Sequence, residues 1–376
     1  MQADTAQPAW SRRAQLDVAV AEPERLIERM IEHFAESNAE IAHTRGRCSA
    51  TFLYSQLFMQ ARPNGVALEA VAGDDIGLSA MKSVAARLLI EYADGEPPQL
   101  AWTGHGTDVT AFPNFREMTV TRIADVTPHM RRIKLSGSNL DQRYATHGQH
   151  IKLLLPPEGV LKPEWPVPGK DHLPVWPAED RRPTMRTFTV RHADLDAGTI
   201  DVDFVLHGDD GVGSRWAMRA QPGDLVGVRG PIGPPLPKVD WYLFVGDETA
   251  LPGIARMLEA LPATAKGVAI IEVSGESEQQ PIRCKADIAL RWLHRNGAQA
   301  GTTSLLVDAT RAVEMPPPGT SIYATAGVEY NAFKAIRRYW REELQLDKKS
   351  VLPVAYWRRG RAEGEVAAED ETDSAP

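Results

Sequence analysis

The strongest constraint on the fold is that the hydrophobic periodicity changes twice along the chain, near Trp102 and again near Pro237. From Glu22 to Glu36, the residues Leu26, Ile27, Met30, Ile31 and Phe34 recur at helical spacing, and Pro23 suits a first helical turn. Alternating runs then predict short strands around Ser49–Phe52, Leu57–Ala61 and Val66–Ala70, with Pro63-Asn64-Gly65 as a turn. Asp74 or Asp75 is placed to cap a second helix carrying Ile76, Met81, Val84, Leu88 and Leu89. The expectation is a small α+β domain over residues 16–104. A flexible tail, 1–15, precedes it, and Thr103–Thr107 reads as a linker.

From Phe115 the pattern turns to strands. Six short runs rich in alternating or β-branched residues lie at Met118–Ile123, Met130–Leu135, His150–Leu155, Thr187–Arg191, Ile200–Leu206 and Leu225–Arg229. Divided by Gly and Pro turns, they predict a six-stranded antiparallel barrel over 113–237. Between the third and fourth runs, eight prolines from Pro156 to Pro183 mark an excursion too Pro-rich for regular structure. After Pro237, apolar runs at Trp241–Val245, Val268–Val273, Ser304–Val307 and Ser321–Ala326 read as buried strands. Helical segments are expected after Thr249, at Asp287–Asn296 and at Glu329–Glu343. Strands alternating with helices predict a parallel α/β domain, 238–360. The acidic run beyond Gly360 predicts a disordered tail, 361–376.

Composition narrows the function classes. A chain of 376 residues is long enough for two or three cored domains, and 43% hydrophobic residues exclude wholesale disorder. A net charge of −8 argues against a dedicated nucleic-acid binder. No run reaches the roughly 18 apolar residues of a membrane helix. No apolar core precedes Ser11-Arg12-Arg13, so no secretory leader is expected and a cytoplasmic location is. Two distant cysteines, Cys48 and Cys284, exclude a disulfide scaffold or a multi-cysteine metal site. The histidines show no tight ligand spacing, and no metal bound by the protein itself is expected. His43 and Cys48 fit a structural cysteine better than a catalytic dyad.

A barrel followed by a parallel α/β domain is the layout of flavin reductases, and the motifs sharpen that reading. Arg186-Thr187-Phe188-Thr189-Val190-Arg191 resembles the R-x-Y-T-x-R pattern of siderophore-interacting proteins, the ferric-siderophore reductases. Asp201-Val-Asp203-Phe-Val205-Leu-His207-Gly208 followed by Gly211-Val212-Gly213-Ser214-Arg215-Trp216-Ala217 is similar to that family's H-G-x-x-G-x-[AG]-[ST]-x-W-A run. His150-Ile-Lys152-Leu matches an H-x-K-L strand, Gly246-Asp247-Glu248-Thr249-Ala250-Leu251-Pro252 the G-D-E-T-A-L-P turn, and Tyr356-Trp357-Arg358-Arg359-Gly360 the Y-W-R-x-G ending. The resemblance covers about residues 113–360. Phe188 stands where tyrosine is usual, and Ala326-Gly327-Val328-Glu329 has one residue more than the family's A-G-E. Ahead of this module, His33-Phe34, the Pro63-Asn-Gly-Val turn and Leu100-Ala-Trp102 resemble a small fused domain of uncharacterised function.

The resemblance implies an FAD enzyme that takes electrons from NAD(P)H and reduces a ferric siderophore. It implies that Arg186 grips the flavin diphosphate, as a planar guanidinium can. Phe188 would stack on the flavin ring, with Thr189 bonded near it. Gly211, Val212, Gly213 and Ser214 would face the diphosphate, with His150, Arg191, Asp203, Val205, His207, Trp216, Asp247, Thr249, Ala250 and Trp357 completing the cofactor set. Lys152 is the residue implied for an anionic siderophore, with Lys348 or Lys349 beside it. No catalytic acid or base is needed for outer-sphere electron transfer. Two readings stay open: a flavoprotein fed by ferredoxin or serving another acceptor, and a siderophore binder without turnover. There is no G-x-G-x-x-G fingerprint to separate NADH from NADPH, and Glu276 points only weakly away from a 2′-phosphate.

Overall fold

The computed structural model describes residues 10–37, 39–44, 46–93, 96–146, 148–207 and 211–361. The chain forms two compact units. One runs to Phe115 and includes Glu164–Arg182; the other comprises Arg116–Pro163 and the chain from Pro183 onward.

In the first unit, β1 (Arg12–Ala19), α1 (Pro23–Glu36), β2 (Glu40–Thr44), β3 (Arg47–Thr51), β4 (Ser55–Arg62), β5 (Gly65–Ala72), α2 (Asp75–Tyr92) and β6 (Thr103–Gly104) build one antiparallel sheet in the order β2-β3-β4-β5-β1-β6. The two helices cover one sheet face, and Met30, Phe34, Leu57, Met59, Leu68, Leu89 and Trp102 close a core between them. Asp74 caps α2 by accepting from Gly77 N at 2.8 Å. Two expectations are corrected. Residues 12–15 are not tail but the start of β1, because Ala14, Leu16 and Val18 alternate into the core. Thr103–Gly104 is not linker but an edge strand on β1, held by backbone bonds that leave no side-chain pattern. Cys48 faces the core, where burial raises its thiol pKa, and its Sγ points at Met59 O, as a structural cysteine does.

The second unit opens with β7 (Phe115–Thr127), β8 (Met130–Ser136), the short helix α3 (Arg143–Thr146) and β9 (His150–Leu155). The Pro-rich excursion then holds a small ribbon of β10 (Val167–Pro168) and β11 (Pro174–Val175) and a 3-10 turn at Glu179–Arg181, so it is more regular than its composition predicts. The chain returns through β12 (Thr184–Asp194), β13 (Thr199–Val205), α4 (Val212–Arg219) and β14 (Leu225–Ile232), closing a six-stranded barrel in the order β12-β13-β8-β7-β14-β9. All six strands were legible from their alternation. Ile133, Leu135, Ile151, Leu153, Val190, Ile200, Val202 and Val228 fill the interior.

The remainder is β15 (Trp241–Gly246), α5 (Leu251–Ala260), β16 (Lys266–Val273), β17 (Asp287–His294), α6 (Leu305–Arg311), β18 (Ile322–Glu329), α7 (Tyr330–Arg338) and β19 (Val351–Trp357). The five strands are all parallel, ordered β17-β16-β15-β18-β19. Two assignments exchange types here. Asp287–His294 is a strand, because eight residues pair in register with β16 and override a helix-compatible composition. Ser304–Val307 is the start of α6 rather than a strand. The acidic run from residue 362 lies outside the described residues. No helix among the described residues is long and apolar enough to cross a membrane.

Candidate active site

The R-x-F-T strand and the glycine turn meet at one corner of the barrel. Arg186 and Phe188 lie on the same side of β12, two residues apart. The Phe188 ring centroid is 4.4 Å from that of Phe204 on β13, which in turn lies 5.5 Å from Trp216 on α4. Helix α4 has Gly211 at its N-cap, a residue with no capping side chain of its own, and the amides of a helix start are the donors an anion site uses. A Cβ on Gly213 would stand 2.8 Å from Cζ of Phe188, and one on Gly211 would stand 2.6 Å from Cε1 of His207. Only glycine lets the helix start come this close to the two rings. Ser214 is buried, and its Oγ accepts from His207 N at 3.3 Å. Gly208 lies outside the described residues. A flavin dinucleotide needs aromatic surface, diphosphate donors and close backbone approach. Phe188 offers the aromatic surface and Gly211 and Gly213 the close backbone approach, which suits FAD, while Arg186, on the same strand, donates through one guanidinium nitrogen to Met185 O at 2.8 Å.

On the opposite side of β12, Thr189 is buried where the barrel meets α5. A Cβ on Gly253 would lie 3.6 Å from Thr189 Cγ2 and 3.1 Å from Gln149 Nε2. His150 pairs with Thr189 across the strands. Its Nε2 lies 3.2 Å from the Tyr356 hydroxyl, with the two rings edge to face at 5.6 Å. Burial, then the charges of Lys152 and Arg256, pull the His150 pKa below its ordinary value, so the ring is neutral near pH 7. Burial holds the Tyr356 phenol well above its usual range.

Strands β15 and β18 mark the point where the strand order reverses, the crevice in which doubly wound sheets take nucleotides. Asp247 sits at that point, directly after β15. Its Oδ1 accepts from Thr249 N at 2.9 Å and Thr249 Oγ1 at 2.5 Å, and its Oδ2 accepts from Trp357 Nε1 at 2.8 Å. Burial, reinforced by neighbouring Glu248, pushes the Asp247 carboxyl up to about 6. Behind the turn, Arg295 joins buried Glu248 and Glu272, and Thr303 donates to Glu272 at 2.8 Å. Glu329 accepts from Asn331 N at 2.6 Å and Arg359 N at 3.3 Å, a capping role that leaves its carboxylate engaged.

Several residues of the expected set do other work. Arg191 is bidentate to Glu259 of α5, at 2.8 and 2.7 Å, and so joins the barrel to the α/β sheet. Both oxygens of Asp203 are held by Arg132, at 2.6 and 2.7 Å. Ala250 fills the space left by Gly246 and Gly327, and Trp216 belongs to the barrel core. Val212 packs against that core, and Val205 against the cluster around α5. Lys152 donates to Thr187 Oγ1 across the strands. In register on its other side stands Arg229, giving an outward row Thr187–Lys152–Arg229 beside the His150–Thr189 pair. Lys348 and Lys349 form an exposed 3-10 turn before β19, and Glu276 is exposed in the turn after β16. The expected set lacked Tyr356, Gln149, Arg229 and Arg256. Arg256 donates to Val190 O at 2.7 Å and to Tyr144 O, and burial lowers its pKa to about 10. Only the Y-W-R-x-G motif signalled any of these four.

A closed six-stranded barrel followed by a parallel sheet whose strand order reverses at β15 and β18 is the layout of an FAD-dependent oxidoreductase. Residues 119–235 match the siderophore-interacting FAD-binding domain, and residues 239–360 match the siderophore-interacting protein model. The chain belongs to the siderophore-interacting protein family. Residues 15–103 match a family of uncharacterised proteins conserved in bacteria, DUF2218. The ferric vibriobactin reductase ViuB of Vibrio cholerae is 31% identical over 247 residues, 63% of this chain and 87% of ViuB. An NADPH-dependent ferric-chelate reductase of Escherichia coli is 33% identical over 251 residues, 65% of this chain and 92% of the relative. The crystal structure of the siderophore-interacting protein SipS from Aeromonas hydrophila has 36% identity and a TM-score of 0.59, covering 69% of this chain and 99% of SipS.

Proposed function

We propose that this chain is a ferric-siderophore reductase that draws on NAD(P)H and delivers Fe(II) from a siderophore-bound Fe(III). The observation that carries the reading is the close approach of the start of α4, at Gly213, to Phe188 on β12, the strand that also carries Arg186. Bound FAD supplies the conversion of a two-electron hydride into single electrons. The chain's residues do the holding. Arg186, Ser214 and the first amides of α4 grip the diphosphate, and Phe188 gives one aromatic face to the ring.

On the other side of β12, Thr189, neutral His150 and Tyr356 form an uncharged cluster. Trp357, pinned by Asp247, bounds the crevice at β15 and β18 that receives the nicotinamide. Lys152 and Arg229 place two cations in the adjacent row, where an anionic iron chelate is drawn in. The chelate needs only to approach the ring edge, so no side chain acts as acid or base. Ferrous iron binds hard oxygen ligands less tightly than ferric iron and is released. The reading is tested by FAD titration of the purified protein: it predicts a stoichiometric yellow complex, and a colourless protein with no FAD uptake would instead favour a siderophore binder without turnover.

A further inference from the structure

The excursion between β9 and β12 is covalently part of the barrel, since Leu155 and Thr184 face each other at its base. Yet its middle, Glu164–Arg182, folds into the N-terminal unit. The tip is a tight turn. Gly169 N donates to Leu173 O at 2.8 Å, His172 N to Gly169 O at 2.9 Å, and Leu173 N to Asp171 Oδ1 at 2.9 Å. His172 has a φ of 70°, a left-handed conformation uncommon for a residue other than glycine.

The surroundings of His172 are specific. His172 is 3% exposed. Its Nε2 lies 2.9 Å from Ser79 Oγ, and its carbonyl lies 3.0 Å from Ser83 Oγ, a hydroxyl shared with Ser79 O at 3.0 Å. The ring meets Phe112 edge to face at 6.0 Å. Leu173 packs on the N-terminal core, and Trp165 lies against Phe115 at 5.8 Å. Ser79 and Ser83 are one turn apart on α2, so one helix stripe grips both the side chain and the backbone of a single arm residue. Between them, Lys82 is buried and donates to Gly106 O at 2.7 Å, closing the flank with the chain that follows β6. A buried polar cluster is favourable only when its members find partners, and a partner from the arm is what these serines have.

We infer that the N-terminal domain is a holder for the barrel's arm, and that its grip on His172 and Leu173 orders the residues just ahead of Arg186. The arm ends at Arg182 and β12 begins at Thr184, so an arm fixed by α2 presents the start of the flavin-binding strand in one conformation. A released arm leaves that strand's entry in several. Binding of FAD is then weakened by the fraction of molecules in which the strand is competent. The inference rests on the flavin role of Arg186 and Phe188 proposed above.

The test uses the full chain and two readouts, amide hydrogen exchange resolved by peptide and FAD affinity from flavin fluorescence. In the double variant Ser79→Ala/Ser83→Ala, exchange in residues 164–182 accelerates while α1 and β4 stay protected, and FAD affinity falls on the order of tenfold. Leu173→Asn, which leaves α2 untouched, gives the same signature and guards against a helix that merely unfolds. Unchanged exchange in the arm would overturn the grip. Faster arm exchange with wild-type FAD affinity would overturn its consequence for the site. A wild-type chain that takes up no FAD sinks the flavin reading and this consequence with it, while the exchange data still judge the grip.

Discussion

Trp357 Nε1 donates to Asp247 Oδ2 across 2.8 Å, tying the last strand of the parallel sheet to the turn that follows its first. The indole's donor is thereby committed to a carboxylate that Thr249 also holds.

The same carboxyl gives a pH signature. Burial raises the Asp247 carboxyl from an ordinary 3.8 to about 6, so between those values the folded chain holds a proton that the unfolded chain has released. Stability from this group is therefore present below about pH 4 and is lost as pH rises through 6, a difference of roughly 3 kcal/mol. Urea denaturation of wild type and Asp247→Asn across pH 4 to 7 should show the gap between them shifting in the variant's favour as pH rises. A gap independent of pH would count against a buried, titrating Asp247.

Arg191 stands in the sequence motif but serves the joint with α5. Replacing it with Met should leave FAD affinity within about twofold while costing at most about 1 kcal/mol of stability, because the exposed Glu259 loses its bidentate partner. A double-mutant cycle with Glu259→Gln isolates the coupling. A large loss of FAD affinity in Arg191→Met, with stability unchanged, would return the residue to the cofactor.

Phe188→Ala removes the stacking face and should weaken FAD by roughly tenfold, the equivalent of about 1.4 kcal/mol. Gly213→Ala should have a comparable effect by another route, since its Cβ would displace the Phe188 ring from 2.8 Å. Fluorescence titration of both variants measures this. Affinity untouched in both would place the flavin elsewhere.

The cationic row makes a kinetic prediction. Lys152→Ala and Arg229→Ala should each raise KM several-fold for an anionic ferric chelate, and flatten its salt dependence, while leaving turnover with a neutral electron acceptor unchanged. Equal losses with charged and neutral acceptors would mean the row shapes the barrel and does not receive substrate.

Much of this was readable from the chain, and the misreadings have physical causes. Alternation exposed the six barrel strands because each buries one face in the interior, as Ile151 and Leu153 do beside outward His150 and Lys152. The same rule applied to Ala14, Leu16 and Val18, but the flanking Arg12, Arg13 and Asp17 masked the strand. Asp287–His294 misled because an edge strand carries exposed Ala289, Leu290 and Arg291, a mixture equally suited to a helix. The motif residues Arg186 and Phe188 fall on a strand, as their local pattern implied. Roles that depend on a distant partner left no such signal. Nothing near Arg191 announces Glu259, and nothing near His172 announces Ser79.

The most direct test of the central claim is an anaerobic absorption experiment on the FAD-loaded protein. Added NADPH or NADH should bleach the flavin bands. A ferric siderophore added next should restore them, with ferrous iron appearing in a colorimetric trap at two ions per nicotinamide oxidised. Flavin that bleaches and then stays bleached in the presence of the ferric chelate, with no ferrous iron trapped, would contradict the assignment.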